Sequence, residues 1–219
     1  MKTNKNILIT GYEPFGGDTF NPSLEVAQTL SGTTYKDYTF QYAKIPVNRF
    51  ECIPTMEKAI DCYAPEIILC TGLAYARAGI SIERIAINTA DFPWSDNAGY
   101  LALNESIDEQ GPAAYFSTLP IRSIMESIRH AGIPAYVSNS AGTYCCNMLM
   151  YGTLNYIARH GLSVKAGMMH VPYTPDMVVG KDYDMPSMSL ANMLQAVKLA
   201  AITAVDTDKD ASVICGAAQ

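Results

Sequence analysis

An α/β fold, a three-layer α/β/α sandwich around a largely parallel, mixed central sheet, is the architecture this sequence predicts, and three observations predict it. Short apolar runs at 7–10 and 66–71 end at glycines, Gly11 and Gly72, as expected of strands buried on both faces. Stretches of helical period and length separate such runs, so that strand and helix alternate along the chain. At 219 residues, with 49% hydrophobic and 16% charged side chains, the chain has the size and composition of one globular unit. A single domain over residues 1–219 is therefore expected.

Each element has its own reason. The first strand, Ile7–Thr10, runs into the loop GYEPFGG at 11–17. A helix opens near Pro22, a residue suited to a first helical position because its missing N–H is not needed there. The loop lacks the GK[ST] ending and the G-x-G-x-x-G spacing of phosphate loops. Its two aromatics, Tyr12 and Phe15, fit either an ordinary packed turn or the wall of a small apolar pocket. A strand over Thr39–Val47 and a helix over Asn48–Tyr63 follow, the helix tolerating or kinking at Pro54, with Cys52 and Cys62 as packing residues. The next strand covers residues 66–71.

In Ile80–Asn88 the apolar alternation slips phase at Glu83-Arg84. A one-residue slip turns side chains to the opposite face unless a bulge or bend absorbs it, and bulges gather beside active sites. Glu83 is thus either aimed inward for a purpose or half of a solvated Glu–Arg pair at an edge. Residues 92–111 read as an irregular flap or hairpin. Helices are expected over Pro120–His130 and Cys145–His160, the latter closed by Gly161. Val164–Val171 reads as the last core strand. The closing helix, Leu190–Val205, carries the stripe Leu190, Met193, Leu194, Val197 and Ala201.

The chemistry concentrates in Ser138–Tyr151, SNSAGTYCCNMLMY. A strand ending, a turn of small residues and an apolar helix give the geometry that lifts a nucleophile from a sheet edge. A thiol in the first turn of a helix also meets the positive end of the dipole, which favours the thiolate. Against that stands the usual fate of a free cysteine as a small buried apolar residue. His130 and His160 precede glycines at helix ends, where an imidazole satisfies carbonyls. His170 instead ends an apolar strand, where α/β sheets bind ligands. Helix-start thiol, strand-end histidine and inward Glu83 are the parts of a Cys–His–acid triad.

Composition excludes several other classes. A net charge of −6 and a pI near 5.0 argue against nucleic acid or an anionic membrane as partner. No apolar run reaches membrane-spanning length, and the polar start at Met1–Asn6 argues against a signal peptide. The six cysteines have irregular spacing with no C-x-x-C, which suits a reducing cytoplasm. A metal site at Cys145, Cys146 and His170 lacks the usual ligand spacing. An enzyme of related fold on another small substrate, or a binding protein without turnover, remains open at this point.

Six segments carry a closer likeness: TGYEPFGG, ISIERIAIN around Glu83, GPAAYFSTLP from Gly111, SNSAGTYCCN, MMHVPYTP around His170, and PSMSLANMLQAVKLAA. In these the chain resembles, nearly end to end, the pyrrolidone-carboxylate peptidase (pyroglutamyl peptidase I) family of cytosolic cysteine peptidases. The resemblance implies release of N-terminal pyroglutamate from small peptides, with no cofactor and no metal, by a homo-oligomer, commonly a tetramer. It places the nucleophile at Cys146, before Asn147, with Cys145 on the preceding apolar position; histidine and acid fall on His170 and Glu83. Tyr12, Phe15 and Leu73 fall at substrate-binding positions. Departures accompany it: members usually carry Phe at Tyr12, and many bacterial ones carry Gln at Leu73 and Arg at Pro93. The resemblance therefore implies the same reaction with weaker oxyanion support.

Overall fold

The computed structural model describes residues 5–180 and 184–216. Of Met1–Asn6, on which the expectation about the chain's start rests, residues 1–4 lie outside them. Among the described residues, nine strands and six helices run in the order β1 Lys5–Tyr12, α1 Pro22–Leu30, β2 Thr34–Tyr35, β3 Tyr38–Ile45, α2 Cys52–Tyr63, β4 Ile67–Leu73, β5 Ile80–Glu83, β6 Ile85–Ile87, β7 Ala114–Phe116, α3 Ile121–His130, β8 Ala135–Ser138, α4 Cys145–Arg159, β9 Lys165–Val171, α5 Pro175–Val178 and α6 Leu190–Asp206.

Seven strands form one sheet in the order β2-β3-β1-β4-β9-β5-β8. From β3 to β9 neighbouring strands are parallel. β5 then turns against β9, pairing Ser81 with His170 and Ile82 with Met169, and β8 lies parallel to β5 at the edge. The expected mixed sheet is present, and its reversal falls beside the strand that carries His170. The sandwich follows from the strand period of two. Ile7 and Ile9 of β1 join the core under α1, α3 and α6. Leu8 between them faces the other core, which includes Cys52, Met56, Met148 and Leu149 of α2 and α4. β4 is buried at all seven residues, as its unbroken apolar run requires.

Several boundaries differ from the sequence reading. α2 begins at Cys52 and not Asn48, because the Asn48 side chain accepts the N–H groups of Phe50 (2.8 Å) and Glu51 (3.1 Å) in a preceding turn. Pro54 consequently falls in the first helical turn, where no N–H is needed. Cys52 is buried, whereas Cys62 is exposed and is not a packing residue. The phase slip at Glu83-Arg84 is a full parting: β5 stays in the main sheet, while β6 pairs with β7 in a separate two-stranded one. Leu190 and Leu194 lie only partly buried against the core, and Ala196, Ala200 and Ala204 complete the buried face of α6.

Candidate active site

Glu83 is completely buried, which rules out the solvated-pair reading. The antiparallel register sets His170 opposite Ser81, so Glu83, two residues along the same face of β5, reaches His170 on the diagonal. His170 Nδ1 and Glu83 Oε1 are 2.7 Å apart. The same oxygen accepts from Arg77 Nη1 at 2.6 Å and from the Ser81 hydroxyl at 3.2 Å. Arg77 also donates to Ser81. Among the described residues no hydrogen bond reaches Glu83 Oε2, so the whole network loads one carboxylate oxygen.

The other imidazole nitrogen faces the thiol. A Cβ placed on Gly72, at the end of β4, would lie 2.8 Å from Cys146 Sγ and 3.6 Å from His170 Nε2. Only a residue without a side chain lets sulfur and imidazole meet above the strand, a close approach that glycine permits. The connection from β8 is not the tight elbow the sequence suggested. β8 is the edge strand, and β5 and β9 separate it from β4. Residues 139–144 therefore carry the chain across the end of the sheet before α4 begins, with Gly142 at φ +77°.

Asn147 fixes how that helix enters. Its Oδ1 accepts from the Ile87 N–H, and its Nδ2 donates to the carbonyls of Ile87 and Thr89, all at 2.9 Å. Thr143 ties the loop to residue 91 through Oγ1–H to the Asp91 carbonyl at 2.5 Å. Tyr12, whose resemblance-implied role is substrate contact, also donates its hydroxyl to the Cys145 carbonyl at 2.7 Å. A phenylalanine there would lack this tie to the first turn of α4.

The charges follow from burial and contact. Burial disfavours the imidazolium, but Cys146 and Glu83 overcome it and push the His170 pKa up to about 9. Burial likewise opposes ionisation of Glu83, yet the His170 hydrogen bond and the His170 and Arg77 charges hold its carboxyl below the usual range. With a raised histidine, the contribution of this contact to stability is complete below the ordinary histidine range and is lost as pH rises through about 9. Cys145 is buried and its thiol is pushed up by desolvation, whereas Cys146 is partly accessible.

Cys146 and His170 open onto a cavity of about 560 Å³, whose lining includes Tyr12, Phe15, Leu73 and Pro93, while Glu83 lies behind the imidazole. All three positions expected to touch substrate are therefore on the cavity wall. His160 accepts a structural place instead, its ring 4.0 Å from that of Tyr156 and Nδ1 2.9 Å from the Tyr156 carbonyl. Among the described residues no group of three or more His, Cys, Asp or Glu side chains is placed to hold a metal. Sequence reasoning missed the Arg77–Ser81–Glu83 network, which forms because the loop before β5 folds Arg77 back onto that strand, and the clearance at Gly72, which depends on α4 and β9 meeting above β4.

The chain matches the pyroglutamyl peptidase family over residues 5–207. It is 42% identical to the pyrrolidone-carboxylate peptidase of Vibrio parahaemolyticus over 212 residues, covering 97% of this chain and 98% of that one. With the Bacillus subtilis protein of the same name it shares 38% identity over 206 residues, 94% of this chain and 95% of that relative. The crystal structure of pyroglutamyl peptidase I from Bacillus amyloliquefaciens superposes with a TM-score of 0.93 at 38% identity, covering 96% of this chain and all (100%) of that one. Pyrrolidone carboxyl peptidase from Thermococcus litoralis gives 0.92 at 39% identity, covering 96% and 99%. Sequence, fold and the placement of these side chains converge, and the chain belongs to the pyroglutamyl peptidase family.

Proposed function

We propose that this chain is a cysteine peptidase releasing N-terminal pyroglutamate from small peptides, with Cys146 as nucleophile, His170 as general base and acid, and Glu83 as its orienting partner. The observation that carries the assignment is the convergence of Cys146 Sγ and His170 Nε2 above Gly72 while Nδ1 is held on buried Glu83. His170 takes the Cys146 proton, and the thiolate attacks the carbonyl carbon between the lactam and the second residue. The backbone N–H of Cys146, in the first turn of α4, donates to the oxyanion. His170 passes its proton to the leaving amine as the C–N bond breaks, leaving a thioester. Water then attacks the thioester and gives its proton to His170, which returns it to the Cys146 sulfur as pyroglutamate departs. Glu83 fixes the imidazole tautomer and steadies the imidazolium throughout. Tyr12, Phe15 and Leu73 hold the flat, neutral lactam by apolar contact. No cofactor or metal enters this scheme.

The test is release of fluorophore from a pyroglutamyl amide, with a prolyl amide as control. Hydrolysis of the first alone is expected; failure of the first, or equal cleavage of both, overturns the assignment. Pro93 supports a second expectation. Arginine at that position would supply charge where the oxyanion develops, and one such donor is worth about 10²-fold in rate. Arg77 is engaged with Glu83 and does not stand in. Pro93→Arg should therefore raise kcat/KM on the pyroglutamyl amide, and an unchanged or lower value would show the arginine to be dispensable here.

The same reading takes residues 1–219 as a single catalytic domain. It includes a homo-oligomer, a tetramer by the family resemblance, supported by large apolar side chains left 62–68% exposed at Phe50, Phe116 and Leu103. A cytoplasmic location is proposed on the six cysteines, all unpaired; no helix of the described residues is long and apolar enough to cross a membrane.

A further inference from the structure

The cavity is larger than the lactam requires. Its volume of about 560 Å³ falls in the range of about 300–1,000 Å³ that buries drug-sized molecules, whereas the acyl group is a single five-membered ring. Part of its wall is aromatic and half in water: Tyr75 is 57% exposed and Trp94 51%, though both line the cavity. Each is backed by another ring. Tyr75 lies 6.3 Å from Tyr173 at 85°, edge to face, and Trp94 lies 5.9 Å from Tyr144.

The position of Tyr75 relative to the chemistry comes from the sheet. Tyr173 follows His170 by three residues at the end of β9, and Tyr75 follows Gly72 by three at the end of β4. The Ala74 N–H donates to the Val171 carbonyl at 3.0 Å, holding the two strand ends together. His170 must protonate the leaving amine, so the second residue of the substrate leaves on the side where these strand ends emerge. Away from the catalytic His170 and Cys146, charge on the wall is sparse: Arg77 is paired with Glu83, and the other charged side chain there is the acidic Asp91.

We propose that Tyr75 and Trp94 form a recess for the side chain of the substrate's second residue, selecting large apolar and aromatic side chains and disfavouring acidic ones. This rests on the activity proposed above. Aromatic faces supply apolar area in a rigid form, and pocket contacts of this size discriminate by about 10-fold or more. The experiment compares kcat/KM for pyroglutamyl-Phe, pyroglutamyl-Ala and pyroglutamyl-Asp amides in the unmodified protein, Tyr75→Ala and Trp94→Ala. The unmodified protein should prefer Phe over Ala by about 10-fold and cleave the Asp peptide least. Both variants should bring the Phe/Ala ratio toward one. A wild-type ratio near one, or variants that keep the wild-type ratio, overturns the recess. Should no pyroglutamyl peptide be cleaved, the activity reading fails by itself, and binding decides the recess separately. Trp94 is the chain's one tryptophan, so its fluorescence reports occupancy directly. A change with the Phe peptide and not the Ala peptide supports the recess, and no change with either overturns it.

Discussion

Cys146→Ser removes turnover on a pyroglutamyl amide, by about 10⁴-fold or more, while Cys145→Val stays folded and keeps most of its activity. Neighbours on a helix point about 100° apart, so the two adjacent thiols cannot serve one cleft alike. Cys145 is 1% exposed and packs among apolar side chains. Valine replaces it as an apolar residue of similar size, at an expected cost within about 1.5 kcal/mol. Cys146 carries its sulfur over Gly72 beside His170, where a serine hydroxyl is a far weaker nucleophile. Turnover measured together with thermal melting checks both variants. Equal loss of activity in two folded proteins would take the nucleophile's role from Cys146.

Glu83→Gln lowers kcat by about 10²-fold or more and costs less in stability than in rate. The substitution keeps the shape and removes the charge. Glu83 contributes to the upward shift of His170, now about 9, so without it the imidazole releases its proton more easily. The alkaline limb of the pH–rate profile should accordingly move to lower pH. Folding suffers less because neither partner is trapped: His170 can deprotonate, and Arg77, whose side chain is 26% exposed, can reach water. A profile that stays in place with kcat unchanged would make Glu83 a packing residue. A loss of activity matched by loss of the fold would likewise remove its orienting role.

By itself the sequence determined the alternation of strand and helix, the single apolar period of the buried strands, and the residue types of the site. It did so because these depend on neighbours along the chain: β4 is buried throughout and reads as unbroken apolar residues, Pro22 opens α1 beneath the Asn21 cap, and Gly161 at φ +61° follows α4. Even the parting at Glu83-Arg84 left a local mark as a slip of phase. The short strands β2 and β7 left none, since two or three half-exposed residues carry no period. Tertiary structure alone decided that β5 runs against β9, which sets Glu83 diagonal to His170 across 87 residues of chain. It also decided the long crossing of residues 139–144 and the convergence of thiol and imidazole over Gly72. A strand's alternation tells which face each side chain takes, but it is the same for a parallel or an antiparallel partner. The direction and identity of that partner are settled only when the two cores pack, and the geometry of the active site depends on both.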